Sequence, residues 1–354
     1  LGFRMIALFN RYLIKRSFYF SLFILMVFGA LDSIFNFISE LENTSPQYGI
    51  LNILKYVIYS LPHNLIDFIE GACLLGVMLS LGLSHQEGNL NVLRSAGKPP
   101  LKIILMSSIG ALILSISLLA LDEISFRNLY LNAEVNKNLL SKKDNSNNND
   151  IKWIKSGNSY LSFENIISDE IYNAKLIKID KNEIAYSIQS DTAFIDNKDI
   201  IFNENSNYKN FIDKENKNYK ESFEIPIQSR ITFNNISNLG LYEINTYRNL
   251  FKETNIDSDI LFKSHLDKAF YKLIFLPISI LILIIYFGSL IFTSLRESTV
   301  GGRIIVAVLG AFLFKLFQDL SIGVFISYSL PVLIGVILPS VILVLMSISS
   351  YKKI

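Results

Sequence analysis

The chain has 354 residues, 51% hydrophobic and 18% charged, with a formal net charge of +2 and a mean hydropathy of +0.37. This is too apolar for an ordinary soluble domain of its size, and no nucleic-acid partner is expected. The apolar residues gather into six windows near the roughly 20 residues that cross a bilayer, at about 17–38, 64–84, 101–121, 270–293, 303–323 and 331–349. The expected fold class is an α-helical polytopic membrane protein with six transmembrane helices.

In chain order, "FSLFILMVF" (20–28) is read as the first span rather than a cleaved signal, because no small-residue cleavage site follows it. The second span is interrupted by Asp67 and Glu70 and holds the lone cysteine, Cys73, which is read as a small apolar residue. Between spans two and three the chain turns polar over "LGLSHQEGNLNVLRSAG" (81–97). A helix over about 86–95 sets Leu90, Leu93 and Asn89 on one side. Such a short amphipathic helix either inserts into a partner's groove or lies on the membrane surface, and its pattern alone leaves both open.

After the third span comes the polar tract "SKKDNSNNND" (141–150), a linker composition that cannot pack a core. Short runs of β-branched and aromatic residues follow, among them "IKWIKSG", "SYLSFENI", "IYNAKLIKID", "EIAYSIQSDTAFID", "DIIFNEN" and "SFEIPIQSRITF". They predict an all-β domain of sandwich or jellyroll type over 141–238. Helical periodicity returns at Leu241, Ile244, Tyr247 and Leu250 and leads into span four. The expected division is therefore 1–140 (spans one to three with the helix near 86–95), 141–238 (β domain) and 239–354 (a connecting helix and spans four to six).

Lysines and arginines orient the whole. Arg11, Lys15 and Arg16 precede span one; Arg94, Lys98 and Lys102 lie between spans two and three; Arg296 and Arg303 lie between four and five; Lys352 and Lys353 close the chain. Both termini are thus expected in the cytoplasm and the β domain outside it. No phosphate-binding loop, metal-ligand spacing among His63, His85 and His265, or nucleophile elbow is present, so no catalytic residue, metal or cofactor is expected.

The stretch 81–97 resembles the coupling helix of the LptF/LptG family of lipopolysaccharide export permeases, on the LptG side of the family. "NRYLIKR", "WIKSGNSYLSFENI", the segment 241–270, "LRESTVGGRI" and "LPVLIGVILPS" are similar to the family's pattern in order and spacing, the last two around Arg296, Gly302, Arg303, Pro331, Gly335 and Pro339. The resemblance implies the permease half of an ABC transporter in the inner membrane of Gram-negative bacteria. It would pair with an LptF-like second permease on an LptB-like cytoplasmic ATPase dimer. It would draw lipopolysaccharide from the membrane and pass it toward LptC- and LptA-like periplasmic jellyroll proteins. The alternative from another class is a membrane-anchored periplasmic scaffold or receptor that transports nothing.

Two departures from the family pattern bear on the site. Asn89 stands where the family usually carries glutamate, and on a continuous helix Glu87 would point elsewhere, so ATPase coupling is assigned to Glu87, Asn89, Leu90, Val92, Leu93 and Arg94 with altered polar contacts. Where the family places bases near the outer end of span one, this chain has Asn36, Glu40 and Glu42. Ionisable groups inside spans are costly and usually face a cavity or a partner. Asn36, Glu40, Glu70 and Lys315 are therefore the candidate substrate-cavity residues; for Asp67 a place in the headgroup region, and for Lys315 an ion pair with Asp319 four residues on, are the simpler expectations.

Overall fold

The structure is a computed structural model that describes residues 2–140, 152–163, 165–167, 170–180, 183–196, 199–203, 206–211, 219–223, 236, 238–253, 260–292 and 299–352. Contacts divide the chain into two units, Leu1–Lys142 with Asn238–Ile354, and Lys143–Ser237. Ile154 and Phe223 belong to the second unit; Arg296 and Lys353 fall outside the described residues.

In the first unit the chain runs through α1 (Gly2–Leu41), α2 (Ile50–Asn64), a 3-10 turn (Leu65–Phe68), α3 (Ile69–Gln86), α4 (Asn89–Ser95), α5 (Pro100–Leu121), a π-helical turn (Asp122–Phe126) and α6 (Arg127–Leu140). After the second unit follow α7 (Leu241–Glu253), α8 (Ile260–Phe292), α9 (Val300–Ser327) and α10 (Val332–Tyr351). Six stretches are long and apolar enough to cross a membrane: Phe9–Leu41, Ile50–Gln86, Pro100–Lys137, Leu261–Phe292, Gly301–Ser327 and Val332–Tyr351. Helix is the only open-chain form that satisfies its own backbone in hydrocarbon. The ends carry local signals: Pro100 occupies the first turn of α5, and the Thr299 hydroxyl accepts from the Gly302 amide at the start of α9.

Several helices extend beyond the apolar windows. The second span begins at Ile50 rather than near 64, and the third continues through the π turn into α6. α2 and α6 are mixed in polarity and pack on each other, burying Tyr48, Ile53 and Val57 with Leu140 against them. A hydropathy window sees only a uniformly apolar face, so these amphipathic extensions escape it.

Between bilayer-embedded helices no hydrophobic gain is available, so close approach of small residues holds them. α1 packs most heavily on α3 and α5. A Cβ on Gly76 would overlap the Ser21 backbone, and one on Gly110 would overlap Ile14 and Ser17. Buried Ser17, Ser108 and Ser115 return their hydroxyls to carbonyls three residues back, which satisfies these three hydroxyls within their own helices. The core runs from Leu13 and Leu25 through Cys73, Leu74 and Leu81 to Ile280 and Ile284. Only 22% of the most apolar window of Phe9–Leu41 is buried, and 28% of that in Gly301–Ser327, against 67% for Ile50–Gln86. The first and fifth spans therefore keep apolar faces for lipid or another chain.

The second unit is an antiparallel sheet of β1 (Lys152–Ser156), β2 (Ser159–Phe163), β3 (Asn165–Ile167), β4 (Glu170–Asp180), β5 (Glu183–Asp196), β6 (Asp199–Phe202), β7 (Asn207–Asn210) and β8 (Lys220–Ser222). Its order is β1-β2-β4-β5-β6-β8, with β3 also on β4 and β7 also on β5. Leu161, Phe163, Ile171, Leu176, Ile188, Ala193, Ile200 and Phe202 form its buried face. The inward phase of β4 switches between Ile171 and Leu176, across Asn173 at φ +50. β5 switches with it, since Ile171 pairs with Ala193 and Leu176 with Ile188. Asn tolerates the left-handed region, so the two strands change phase together and keep one apolar face. The run "SFEIPIQSRITF" falls mostly in 224–235, outside the described residues.

Candidate functional site

The polar break of the sequence becomes a compact device at the end of the membrane unit that charge assigns to the cytoplasm. α3 ends at Gln86, Gly88 takes the left-handed conformation at φ +77, α4 spans Asn89–Ser95, and Gly97 closes the turn at φ +83. Within α4 the three-residue spacing sets Leu90 and Leu93 on one face, 0% and 2% exposed in the core. Val92 is 52% exposed, and Asn91, Arg94 and Ser95 are exposed beside it. The Arg94 guanidinium also lies 5.9 Å from the Phe292 ring centre, at the end of α8.

The structure thus splits the coupling residues expected from sequence. Leu90 and Leu93 anchor α4 to its own chain, while Val92 and Arg94 face outward. Glu87 does not sit on a continuous helix with Asn89: Gly88 breaks the helix, and the Asn89 amide donates to the Glu87 carboxylate at 2.9 Å. Arg16 of α1 grips the same carboxylate with both terminal nitrogens, at 2.6 and 2.7 Å, and Tyr12 reaches it at 3.4 Å. Hydrogen bonding from Arg16 holds the Glu87 carboxyl below the usual carboxylate range. Beyond α4, Lys98 donates to the Asn10 side chain, also on α1.

The four cavity candidates fall into two places. Glu70, in the first turn of α3, accepts from the Ser279 hydroxyl of α8 at 2.7 Å, within electrostatic reach of Lys272, Lys315 and Asp319. Span two is broken just before it, with Pro62 inside α2 and the 3-10 turn carrying exposed Asp67. Lys315 donates to the Asp67 carbonyl at 3.1 Å, meeting an acceptor that the break leaves open. Asp319 pairs with Lys272 at 3.4 Å instead of with Lys315, so the expected ion pair along one helix is replaced by ties between helices. Asn36 and Glu40 lie apart, on α1. Asn36 donates to Asp32 at 2.8 Å, which also accepts from Asn64, and Glu40 forms an ion pair with Lys137 of α6.

A third polar group carried no sequence expectation. At the π turn, Asp122 is 1% exposed and accepts from Arg127 at 2.6 Å and from His63 of α2 at 2.7 Å. Glu123 accepts the amides of Leu241 and Tyr242 at 3.0 and 3.2 Å, which caps α7 from outside the helix. The signal in the sequence was two acids followed by an arginine at the end of an apolar run, at the very point where the window method stops counting.

Six apolar spans, an inserted antiparallel β domain and a short helix held against one end of the spans define a polytopic helical membrane protein. Comparison with known proteins gives the family. The profile of the lipopolysaccharide export system permeases LptF/LptG matches residues 11–353. The chain is 24% identical over 346 residues to the lipopolysaccharide export system permease protein LptG of Haemophilus influenzae, covering 91% of this chain and 92% of that one. It is 23% identical over 358 residues to the protein of the same name from Escherichia coli K12, covering 94% of each. The chain belongs to the LptF/LptG family of lipopolysaccharide export permeases, multi-pass proteins of the Gram-negative inner membrane.

Proposed function

We propose that this chain is one permease half of an ATP-driven transporter that extracts lipopolysaccharide from the inner membrane and passes it to a periplasmic bridge. Hydrolysis comes from a separate, LptB-like ATPase dimer beneath α4. An LptF-like permease completes the cavity against the sparsely buried faces of α1 and α9. The β domain hands the lipid on to LptC- and LptA-like jellyroll proteins.

The observation that carries this reading is α4. Leu90 and Leu93 fix it in the core, while Asn91, Val92, Arg94 and Ser95 stay exposed. A helix that only rested on the membrane would turn its apolar face to lipid, whereas here that face is spent on the protein itself. An exposed, rigidly mounted ridge suits insertion into a partner's groove. For the substrate, Glu70 and Lys315, with Lys272 and Asp319, form a charged group inside the spans whose ties exchange when a charged lipid headgroup arrives. Asn36 and Glu40 make a second polar place on α1.

Gentle solubilisation of the tagged chain with its native neighbours tests the assembly. Mass spectrometry should find a nucleotide-hydrolysing subunit and a second six-span permease. Recovery of the chain alone, or only with periplasmic proteins, would sink the reading. For the cavity, Glu70→Gln with unchanged crosslinking to lipopolysaccharide and unchanged growth would remove Glu70 from the substrate path.

A further inference from the structure

Among the described residues, both flanks of α4 are tied to a single other helix. Before it, the Glu87 carboxylate is clamped by the Arg16 guanidinium in a two-pronged pair at 2.6 and 2.7 Å, the geometry that fixes direction as well as distance. After it, Lys98 donates to Asn10. Asn10 and Arg16 lie within two turns of each other on α1, so α1 holds α4 like a bracket at both ends. The middle of α4 is held differently, by Leu90 and Leu93 sunk in the core.

Gly88 and Gly97 sit at left-handed φ on either side of α4, so the segment between them is a short rigid body joined by two tight turns. A force on its exposed face is passed to whatever grips those turns. α1 also has the least buried apolar window of the six spans, so one of its faces is left outside this chain's own packing. α3 offers the opposite case: it is continuous with Glu87 but lies deep in the core.

We infer that Arg16 and Asn10 are positioning residues that couple α4 to the first span, so that movement of a cytoplasmic ATPase under α4 is delivered to α1 through the Arg16–Glu87 and Asn10–Lys98 ties. This rests on the reading of α4 as the ATPase-docking helix. The role assigned to both residues is exerted through α4, by way of Glu87 and Lys98.

The test uses the whole complex, purified with its native permease and ATPase partners and reconstituted in vesicles containing purified lipopolysaccharide. Three quantities are read: ATPase bound per permease, ATP hydrolysed, and lipopolysaccharide released per ATP. Arg16→Glu should leave the first two within about twofold and lower the third about tenfold, within the usual span of coupling between sites. Adding Glu87→Arg, which restores the pair with reversed charge, should return release per ATP to within about threefold of the parent, a rescue that a general packing defect would not show. Unchanged release per ATP in Arg16→Glu overturns the inference, and so does a reversed pair as impaired as the single variant. If Arg16→Glu yields too little complex, Asn10→Leu is read in its place: a drop of several-fold supports the linkage and no drop overturns it. Absence of bound ATPase in the parent complex would instead overturn the docking reading, and this inference with it.

Discussion

Arg127 donates to Asp122 at 2.6 Å across the π turn that joins α5 to α6, with the two side chains 6% and 1% exposed. His63 of α2 holds the other oxygen of the same carboxylate, and Arg127 reaches on to Glu123, which caps α7. Three helices, α2, α5 and α6, therefore meet at the Asp122 carboxylate, and α7 joins them through Glu123. Removing the arginine alone strands a buried charge, which costs about 3–5 kcal/mol. Arg127→Leu should accordingly lower the detergent-solubilised melting temperature strongly, while adding Asp122→Asn should recover most of the loss. A single variant as stable as the parent would show that water already reaches Asp122.

Val92 and Leu93 are neighbours in sequence with opposite environments, 52% and 2% exposed. Val92→Asp should leave melting within the ~0.5 kcal/mol usual for surface changes and yet abolish ATPase co-purification. Leu93→Asp should fail earlier, by burying a charge in the core of the spans, and is therefore the poorer probe of docking. Equal ATPase recovery from Val92→Asp and the parent would move the docking face elsewhere.

Gly76 meets the Ser21 backbone of α1 with no room for a Cβ. Because the obstacle is main chain rather than a flexible side chain, even Gly76→Ala should force α1 and α3 apart, at a cost of about 1–3 kcal/mol. The comparison is Gly323→Ala on α9, where a Cβ meets nothing within 4 Å and little change is expected. Thermal unfolding of the two variants side by side decides it.

The Arg16–Glu87 tie gives α4 a specific acid sensitivity. Arg16 lowers the Glu87 carboxyl, so the pair's contribution is complete above the ordinary carboxylate value of ~4.3 and is lost as pH falls through the lowered one. Hydrogen-exchange protection at Leu90 and Val92, corrected for intrinsic exchange, should be flat through the neutral range and drop only below that value. In Glu87→Gln the acid step should vanish; its persistence would place the titration on another group.

The membrane class, the six spans and the inserted β domain were legible from the chain alone, because hydrocarbon tolerates only apolar helices and the signal accumulates over some twenty residues. Spacing also pointed to a helix over about 86–95, but the structure ends α3 at Gln86, breaks at Gly88 and begins α4 only at Asn89. What the spacing left undetermined was direction: Leu90 and Leu93 share a face with or without a partner, and only the packed core of α3, α5 and α8 turns that face inward. Nor did local sequence place Asp122 with His63, 59 residues away, or Glu123 with Leu241, 118 away, since such pairs form only once helices distant in the chain lie side by side.

The same limit explains Lys315. One helix in isolation offers it Asp319 four residues on; the folded spans offer it the Asp67 carbonyl, freed by the break in span two, and give Asp319 to Lys272. Composition and period act within a segment, and so the sequence determined which segments enter the membrane, which pair as strands and which stay polar. Charge partners and buried faces depend on distances between segments, and those were decided by the tertiary structure, through close packing at small residues and the pairing of charged groups left inside it.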